Sequence, residues 1–457
     1  MSNNNRGGLC LLEKLFKLKE NGTTVKTEIF AGLVSFMTMA YIIFVNPGIL
    51  KEAGMDYQAV AVATCLAAGV STLIMALVSN YPFTMAAGMG LNGIIAFSLV
   101  GSEGLSWQAA MGVVVLEGAI IAILVLTNVR EWIMDAIPLN LKRAIGVGIG
   151  LFIAFLGLKA SGFVVGVGGV ALIGRGVFNT QAIVAVLGLI VTAVLMARRV
   201  KGSILIGIVL TTVLAYLSDI IFQPDQVLVT LPQAGEIFRW PAAQDFSTLF
   251  RFDLKGALKA SLLLWVFSLL ITDFFDTMGT VVAVGGKAGF LDKDGKLPRM
   301  KRVLLADSLG AVIGGLFGCS SNTTYVESAS GVAEGGRTGL TGVVVAILFF
   351  LSIFIAPLVG IVPKVATAPA LIIVGYLMMG VVKEIDWDKM DDAFPAFLTI
   401  LLIPMTGDIS WGIGFGFISF VLLKMFQGKF KEVHPLMYIT AVMFLAHFAL
   451  TTIKVLG

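Results

Sequence analysis

Two aspartates three residues apart interrupt a strongly apolar run, in Ile271-Thr272-Asp273-Phe274-Phe275-Asp276-Thr277-Met278-Gly279-Thr280. Residues spaced by three share one face of a helix, so the spacing predicts two carboxyl groups side by side. A charged carboxylate is costly inside a bilayer, and those found there face a cavity, exchange protons or bind something polar. Capping of a helix end or a backbone hydrogen bond would account for one aspartate, but accounts poorly for the pair. A third acid, Glu327, stands in Thr323-Thr324-Tyr325-Val326-Glu327-Ser328. The β-branched and hydroxyl residues there suit an extended stretch that leads into a short helix. The Glu327 carboxylate would accept from N–H donors, while Asn92, in Gly88-Met89-Gly90-Leu91-Asn92, offers both a donor and an acceptor. Such a set suits a flat, neutral heterocycle with alternating donors and acceptors. It suits an inorganic anion poorly, because neither Pro82–Asn92 nor Gly318–Ser328 contains Arg or Lys.

Other charges read more plainly. Glu117 lies within an apolar run, where a structural hydrogen bond and a functional role are equally open. Asp307 opens a span beside a basic loop and is expected to pair there. Glu334 and Arg337 are expected to shape a glycine-rich loop, Asp408 to sit at a helix break near the outer surface, and Lys383–Asp392 to form a solvated loop.

The elements that hold these groups must lie in lipid. Of the 457 residues, 58% are hydrophobic and 13% charged, against about 45–50% and about 25% in soluble domains. A soluble chain of this length could not hide that much apolar surface. The net charge of +4 excludes nucleic acid as an evident partner. Cys10, Cys65 and Cys319 are scattered, and the only histidines, His434 and His447, lie near the C-terminus. Neither a disulfide framework nor a metal cluster is expected, and no cofactor is called for. No nucleophile–base pair is visible at membrane depth, so the chain does not read as an enzyme.

A span needs roughly 20 apolar residues, and about fourteen such segments follow one another. Residues 1–27 read as a cytoplasmic N-terminal segment, 28–222 as seven spans, 223–255 as an extracytoplasmic connector and 256–425 as seven more. Residues 426–457 form a hydrophobic segment that either spans or lies along the interface. Lys and Arg concentrate in 129–143, 198–202, 286–302 and 426–434, which are cytoplasmic loops if the N-terminus is inside. The third span of each half is interrupted by Gly, Pro and polar residues. Interrupted segments at corresponding places in two halves are a pointer to a transporter binding site. An odd number of spans per half makes the second half enter the membrane inverted.

Several of these stretches carry a family likeness. Thr27-Glu28-Ile29-Phe30-Ala31-Gly32, Thr38-Met39-Ala40-Tyr41-Ile42 and Val45-Asn46-Pro47 resemble the opening of the AzgA-like purine permeases, a branch of the nucleobase–cation symporter-2 group. Gly88–Asn92, Asp273-Phe274-Phe275-Asp276-Thr277, Thr323–Ser328 and Gly335-Gly336-Arg337-Thr338-Gly339-Leu340-Thr341 continue the resemblance in order. It implies an all-α polytopic protein with a seven-plus-seven inverted repeat, core and gate domains, and broken third and tenth spans carrying short extended stretches. The core would comprise spans 1–4 and 8–11, the gate spans 5–7 and 12–14. It implies import of a purine nucleobase into the cell across the plasma membrane, with guanine or hypoxanthine ahead of adenine, by proton-coupled, elevator-like movement. Asp273, Asp276, Glu327 and Asn92 fall at the family's polar positions, and Tyr325 and Val326 where backbone contacts to the base are expected. Asp273, Asp276 and Glu327 are the proton-coupling candidates, and a homodimer is compatible with the family. The chain departs from the family pattern at Ala87, Gly93-Ile94-Ile95, Cys319 and Gly407-Asp408. A related channel or exchanger for uracil, xanthine or an ion is the rival reading.

Overall fold

In a computed structural model the chain is described over residues 12–127, 137–167, 170–173, 179–222, 228–229, 240–258, 263–292, 297–407 and 409–456. Asp408 and most of the connector's first part lie outside the described residues. Helix α1 (Val25–Met39) starts at Thr24, whose hydroxyl accepts from Thr27 N. After Ala40 and Tyr41 the chain resumes as α2 (Ile42–Leu50), with Pro47 inside it. Helix α3 (Tyr57–Ser79) is capped by Asp56 and ends at Asn80, a left-handed residue.

The third apolar segment does not continue as one helix. It opens as strand β1 (Met85–Ala87), then α4 (Met89–Gly93), then a wider π-helical stretch over Ile94–Ser102. The chain proceeds through α5 (Trp107–Leu126), α6 (Leu139–Ala160), a hairpin of β2 (Val164–Val167) with β3 (Val170–Ile173), α7 (Thr180–Ala197) and α8 (Ser203–Phe222). Helix α9 (Leu263–Ala288) carries the aspartate pair and α10 (Met300–Phe317) follows. The next segment repeats the earlier interruption, with strand β4 (Asn322–Thr324) ahead of the short α11 (Ser328–Ala333). Then come α12 (Gly339–Ser352), α13 (Lys364–Met378), α14 (Met390–Thr406), α15 (Ile409–Phe426) and α16 (Pro435–Leu456). Among the described residues, ten helices are long and apolar enough to cross a membrane. This is a multi-pass, mainly helical membrane protein.

In lipid a strand cannot leave its backbone groups unmet. Here β1 and β4, one from each half of the chain, pair antiparallel, with Met85 opposite Thr324, Ala86 opposite Thr323 and Ala87 opposite Asn322. Their outer edges are met by side chains. The Thr72 hydroxyl donates to Met85 O at 3.0 Å and accepts from Met85 N at 2.9 Å, and Thr324 N donates to Asp307 Oδ1 at 3.1 Å. Gly88 N donates to Ser321 O at 2.9 Å. Helix α10 lies so close that a Cβ on Gly314 would overlap the Ser320 carbonyl oxygen. Ser320 itself has φ +84°, a left-handed turn that starts the extended segment and that few side chains adopt without strain.

Two groups of helices pack within themselves: α3 and α5 on α10, α12 on α1 and α3, and α11 on α1 in one group; α13 on α6, α7 and α8, and α14 on α6 and α15 in the other. In the first group Glu28, fully buried, binds the start of α12. Its carboxylate accepts from Arg337 N (2.8 Å), Thr341 N (3.1 Å) and the Thr341 hydroxyl (2.6 Å). That is a favourable place for an anion, at the positive end of a helix dipole. In the second group Lys424, only 8% exposed, pairs with Asp391 (2.7 Å) and Glu432 (3.0 Å), tying α14 and α15 to the segment that leads into α16. Asp391 is therefore buried within an ion cluster, whereas the sequence suggested a solvated loop. Among the described residues two ion pairs cross between the groups, Glu52 with Lys364 at 2.7 Å and Lys201 with Glu334 at 2.5 Å. Glu52 follows α2 and Glu334 follows α11, so the two pairs join different ends of the molecule.

Candidate substrate site at the paired strands

Asp276 stands at the middle of the 26-residue α9, and its side chain is exposed. An ionisable group exposed at that depth marks a space open to water. The open face continues along α9 through Gly279, Ala283 and Gly286, toward the end that carries Lys287. Val326, 50% exposed, and half-buried Glu327 stand where β4 passes into α11. Asp276, Glu327, Tyr41 and Tyr325 lie within electrostatic range of one another.

The two aspartates differ in surroundings although both reach the β4 segment. The Ser321 hydroxyl donates to Asp273 Oδ2 at 3.1 Å, and the Thr323 hydroxyl to Asp276 Oδ2 at 3.0 Å. Ser321 and Thr323 are two apart in an extended segment, hence on one face, and this matches the shared helix face of Asp273 and Asp276. Asp273 is fully buried, however, so only Asp276 of the pair meets the open space. Glu327 is held from another side by the Tyr41 hydroxyl, which donates to Oε1 at 2.6 Å from the junction of α1 and α2.

Tyr325 is committed to the protein. Its N–H donates to Thr84 O at 2.9 Å and its hydroxyl to Ala87 O at 2.6 Å, so it bolts β4 to β1. Asn92 is buried too. Its amide donates to Asn46 Oδ1 at 2.6 Å, and Asn46 in turn donates to Thr64 (2.8 Å) and to Cys319 O (3.0 Å). Thus Asp276 and Val326 are exposed and Glu327 is half-buried, while Asp273, Asn92 and Tyr325 are buried. Asp307 was expected at the basic loop. It is buried in α10, and one oxygen, Oδ1, accepts from the Thr277 hydroxyl (2.7 Å), Thr324 N (3.1 Å) and the Thr324 hydroxyl (3.0 Å).

The chain as a whole is similar to known proteins. Residues 26–415 match the permease family Xan_ur_permease. The chain belongs to the nucleobase–cation symporter-2 permeases. It is 40% identical to the adenine permease AdeP of Escherichia coli, over 96% of each chain. It is 42% identical to the guanine/hypoxanthine permease PbuO of Bacillus subtilis, over 94% of this chain and 98% of that one. The fold is similar to the transmembrane domain of a cyanobacterium bicarbonate transporter, BicA, with a TM-score of 0.63 over 83% of this chain and 95% of that one, at 18% identity. The permease is a transporter and not an enzyme.

Sequence reasoning missed the groups that grip the acids. Tyr41, which grips Glu327, and Asn46, which holds Asn92, sit inside an apolar run, where a polar side chain is itself a functional signal. Ser321 and Thr323 could have been found from their two-residue spacing opposite Asp273 and Asp276. The location of Asp307 relative to Thr277 and Thr324 is tertiary and left no local trace.

Proposed function

We propose that this permease imports purine nucleobases, guanine and hypoxanthine ahead of adenine, together with protons. The observation that carries the reading is an exposed carboxylate, Asp276, halfway along a membrane-spanning helix and near Glu327, in a site whose interrupted segments hold no Arg or Lys. Carboxylates accept from the ring and amino N–H groups of a base, and a carboxylate at membrane depth is also a proton carrier. In this reading Asp276 and Glu327 contact the base, with the backbone at Val326 alongside. Asp273, Asn92 and Tyr325 support them, and Asp273, Asp276 and Glu327 are the groups among which the coupled proton is held.

The architecture is read as fourteen spans in two inverted sets of seven, 28–222 and 256–425. The ten long helices are joined by the two strand–helix segments and by α10 and α14. One group, α1–α5 with α9–α12, forms the core and carries the acids; the other, α6–α8 with α13–α15, forms the gate. The core slides past the gate as an elevator, with the N-terminus in the cytoplasm. The rival solutes are less well served: an inorganic anion would meet two acids and no base.

Uptake of labelled hypoxanthine, guanine and adenine into cells lacking purine transport tests the proposal. Accumulation is expected, and collapse of the proton gradient is expected to abolish it. Asp276→Asn and Glu327→Gln should each lose uptake while reaching the membrane normally. Absence of uptake of all three bases would reject purine import; accumulation without a gradient would reject proton coupling; wild-type uptake by both variants would reject the site.

A further inference from the structure

We propose that Asp307 is a positioning residue for transport: without touching the base, it fixes the distance between the acid on α9 and the acid that follows β4. The inference rests on the reading of Asp276 and Glu327 as the base-binding acids. Its own ground is geometric. Asp307 is 1% exposed, one oxygen gathers three donors, and those donors come from two elements. Thr277 directly follows Asp276 on α9. Thr324 directly follows Thr323, the residue whose hydroxyl holds Asp276. Successive strand residues point to opposite faces, so Thr323 turns to Asp276 while Thr324 turns to Asp307. Three residues further on is Glu327.

Asp307 is thus the fixed point of a closed circuit: Asp307 to Thr277, along the backbone to Asp276, across to Thr323, along the backbone to Thr324, and back to Asp307. Each link is a hydrogen bond of 2.7–3.1 Å or one peptide unit. Opening the circuit at Asp307 leaves Asp276 tied to the strand by a single hydroxyl. The strand loses the acceptor for Thr324 N as well, on the edge that β1 does not cover. Bond counts of this kind are felt at a binding site, because a shift of a fraction of an ångström misplaces the groups that meet the ligand.

The test compares hypoxanthine uptake kinetics of purified full-length protein in liposomes for Asp307→Ala, Asp307→Asn, Thr277→Val and Thr324→Val. Asparagine keeps an acceptor oxygen at the hub, whereas alanine removes it. We expect KM to rise about tenfold in Asp307→Ala, as for loss of a hydrogen bond to a charged group, with Vmax per inserted molecule within about twofold. Asp307→Asn is expected to bring KM back to within about threefold of the parent. Each valine variant, isosteric and lacking one donor, should raise KM in the same direction. A merely structural role would lower membrane abundance and melting temperature with KM unchanged. An unchanged KM in Asp307→Ala overturns the proposal. Should that variant not insert, unchanged KM in both valine variants overturns it equally. A KM in Asp307→Asn as poor as in alanine also overturns it, since the negative charge and not the acceptor would then matter. Parent protein that takes up no purine defeats the underlying reading and this one with it; parent uptake with indifferent variants defeats this one alone.

Discussion

Glu327 is gripped by a phenol that ordinary polarity counts would not single out. Tyr41 is fully buried, and its hydroxyl gives Glu327 Oε1 a short bond of 2.6 Å. Removal of that hydroxyl leaves a carboxylate oxygen to find another donor, at a cost of about 1.5–3 kcal/mol. Tyr41→Phe keeps the ring packing and should therefore raise the KM for hypoxanthine by roughly tenfold or more, with membrane abundance unchanged. A saturation curve of initial uptake checks this, and coincidence with the parent curve would remove Tyr41 from the site. At this scale the sequence was half legible. Asp273, Asp276 and Glu327 announce themselves because an acid in an apolar run needs a reason. Ser321, Thr323 and Tyr41 carry weaker signals in their spacing and setting, and only the fold says which acid each one meets.

Among the elements, α9 shows how a helix can serve both lipid depth and water. Its exposed positions Asp276, Gly279, Ala283 and Gly286 recur at three- and four-residue intervals, and three of the four are small. A Cβ at Gly279 would meet nothing within 4 Å. If the N-terminus is inside, as proposed above, this face runs toward the cytoplasm. Gly279→Cys is therefore expected to react with a membrane-impermeant maleimide in inside-out vesicles, and to be protected by hypoxanthine. Reaction from the outer side alone would contradict the direction of opening. Native Cys65 and Cys319 are buried and offer little background, and Cys10→Ser would silence the remaining thiol. The helix and its acids were evident from apolar periodicity. An extended stretch was suggested by Thr323-Thr324-Tyr325, and an interrupted span by the Gly-rich stretch around Gly88. Their mutual pairing was not, because strand partners so far apart in sequence leave no local pattern.

For the molecule as a whole, the two groups of helices are joined at different ends by exposed ion pairs, Glu52 with Lys364 and Lys201 with Glu334. Each is worth about 0–1 kcal/mol, too little to hold the fold but enough to tilt an equilibrium by up to about fivefold. If one group slides past the other, as proposed above, at least one of the two pairs must break. Lys201→Gln and Glu334→Gln should each change the Vmax of uptake by about two- to fivefold, and the exchange of Lys201→Glu with Glu334→Lys should restore it. Counter-flow and initial-rate measurements in liposomes report both, and a failure of the exchange to restore the rate would leave the pair without a part in the movement. That the chain crosses the membrane many times could be read from apolar segments alone. The partition into two packing groups depends on which helices touch, and composition does not encode it.

The pairing of β1 with β4 also has a consequence for how the chain is made. Ribosomes deliver roughly 5–20 residues per second, so the partner of Met85–Ala87, in the second half of the chain, emerges on the order of tens of seconds after it. During that interval the N–H and C=O groups of β1 have no strand to meet, in a solvent that supplies none. The first half of the chain can therefore enter the membrane but cannot complete its own interior. A nascent chain must shelter an unfinished seam until its second half arrives, and a severed first half should be a client of quality control unless the second is supplied alongside it.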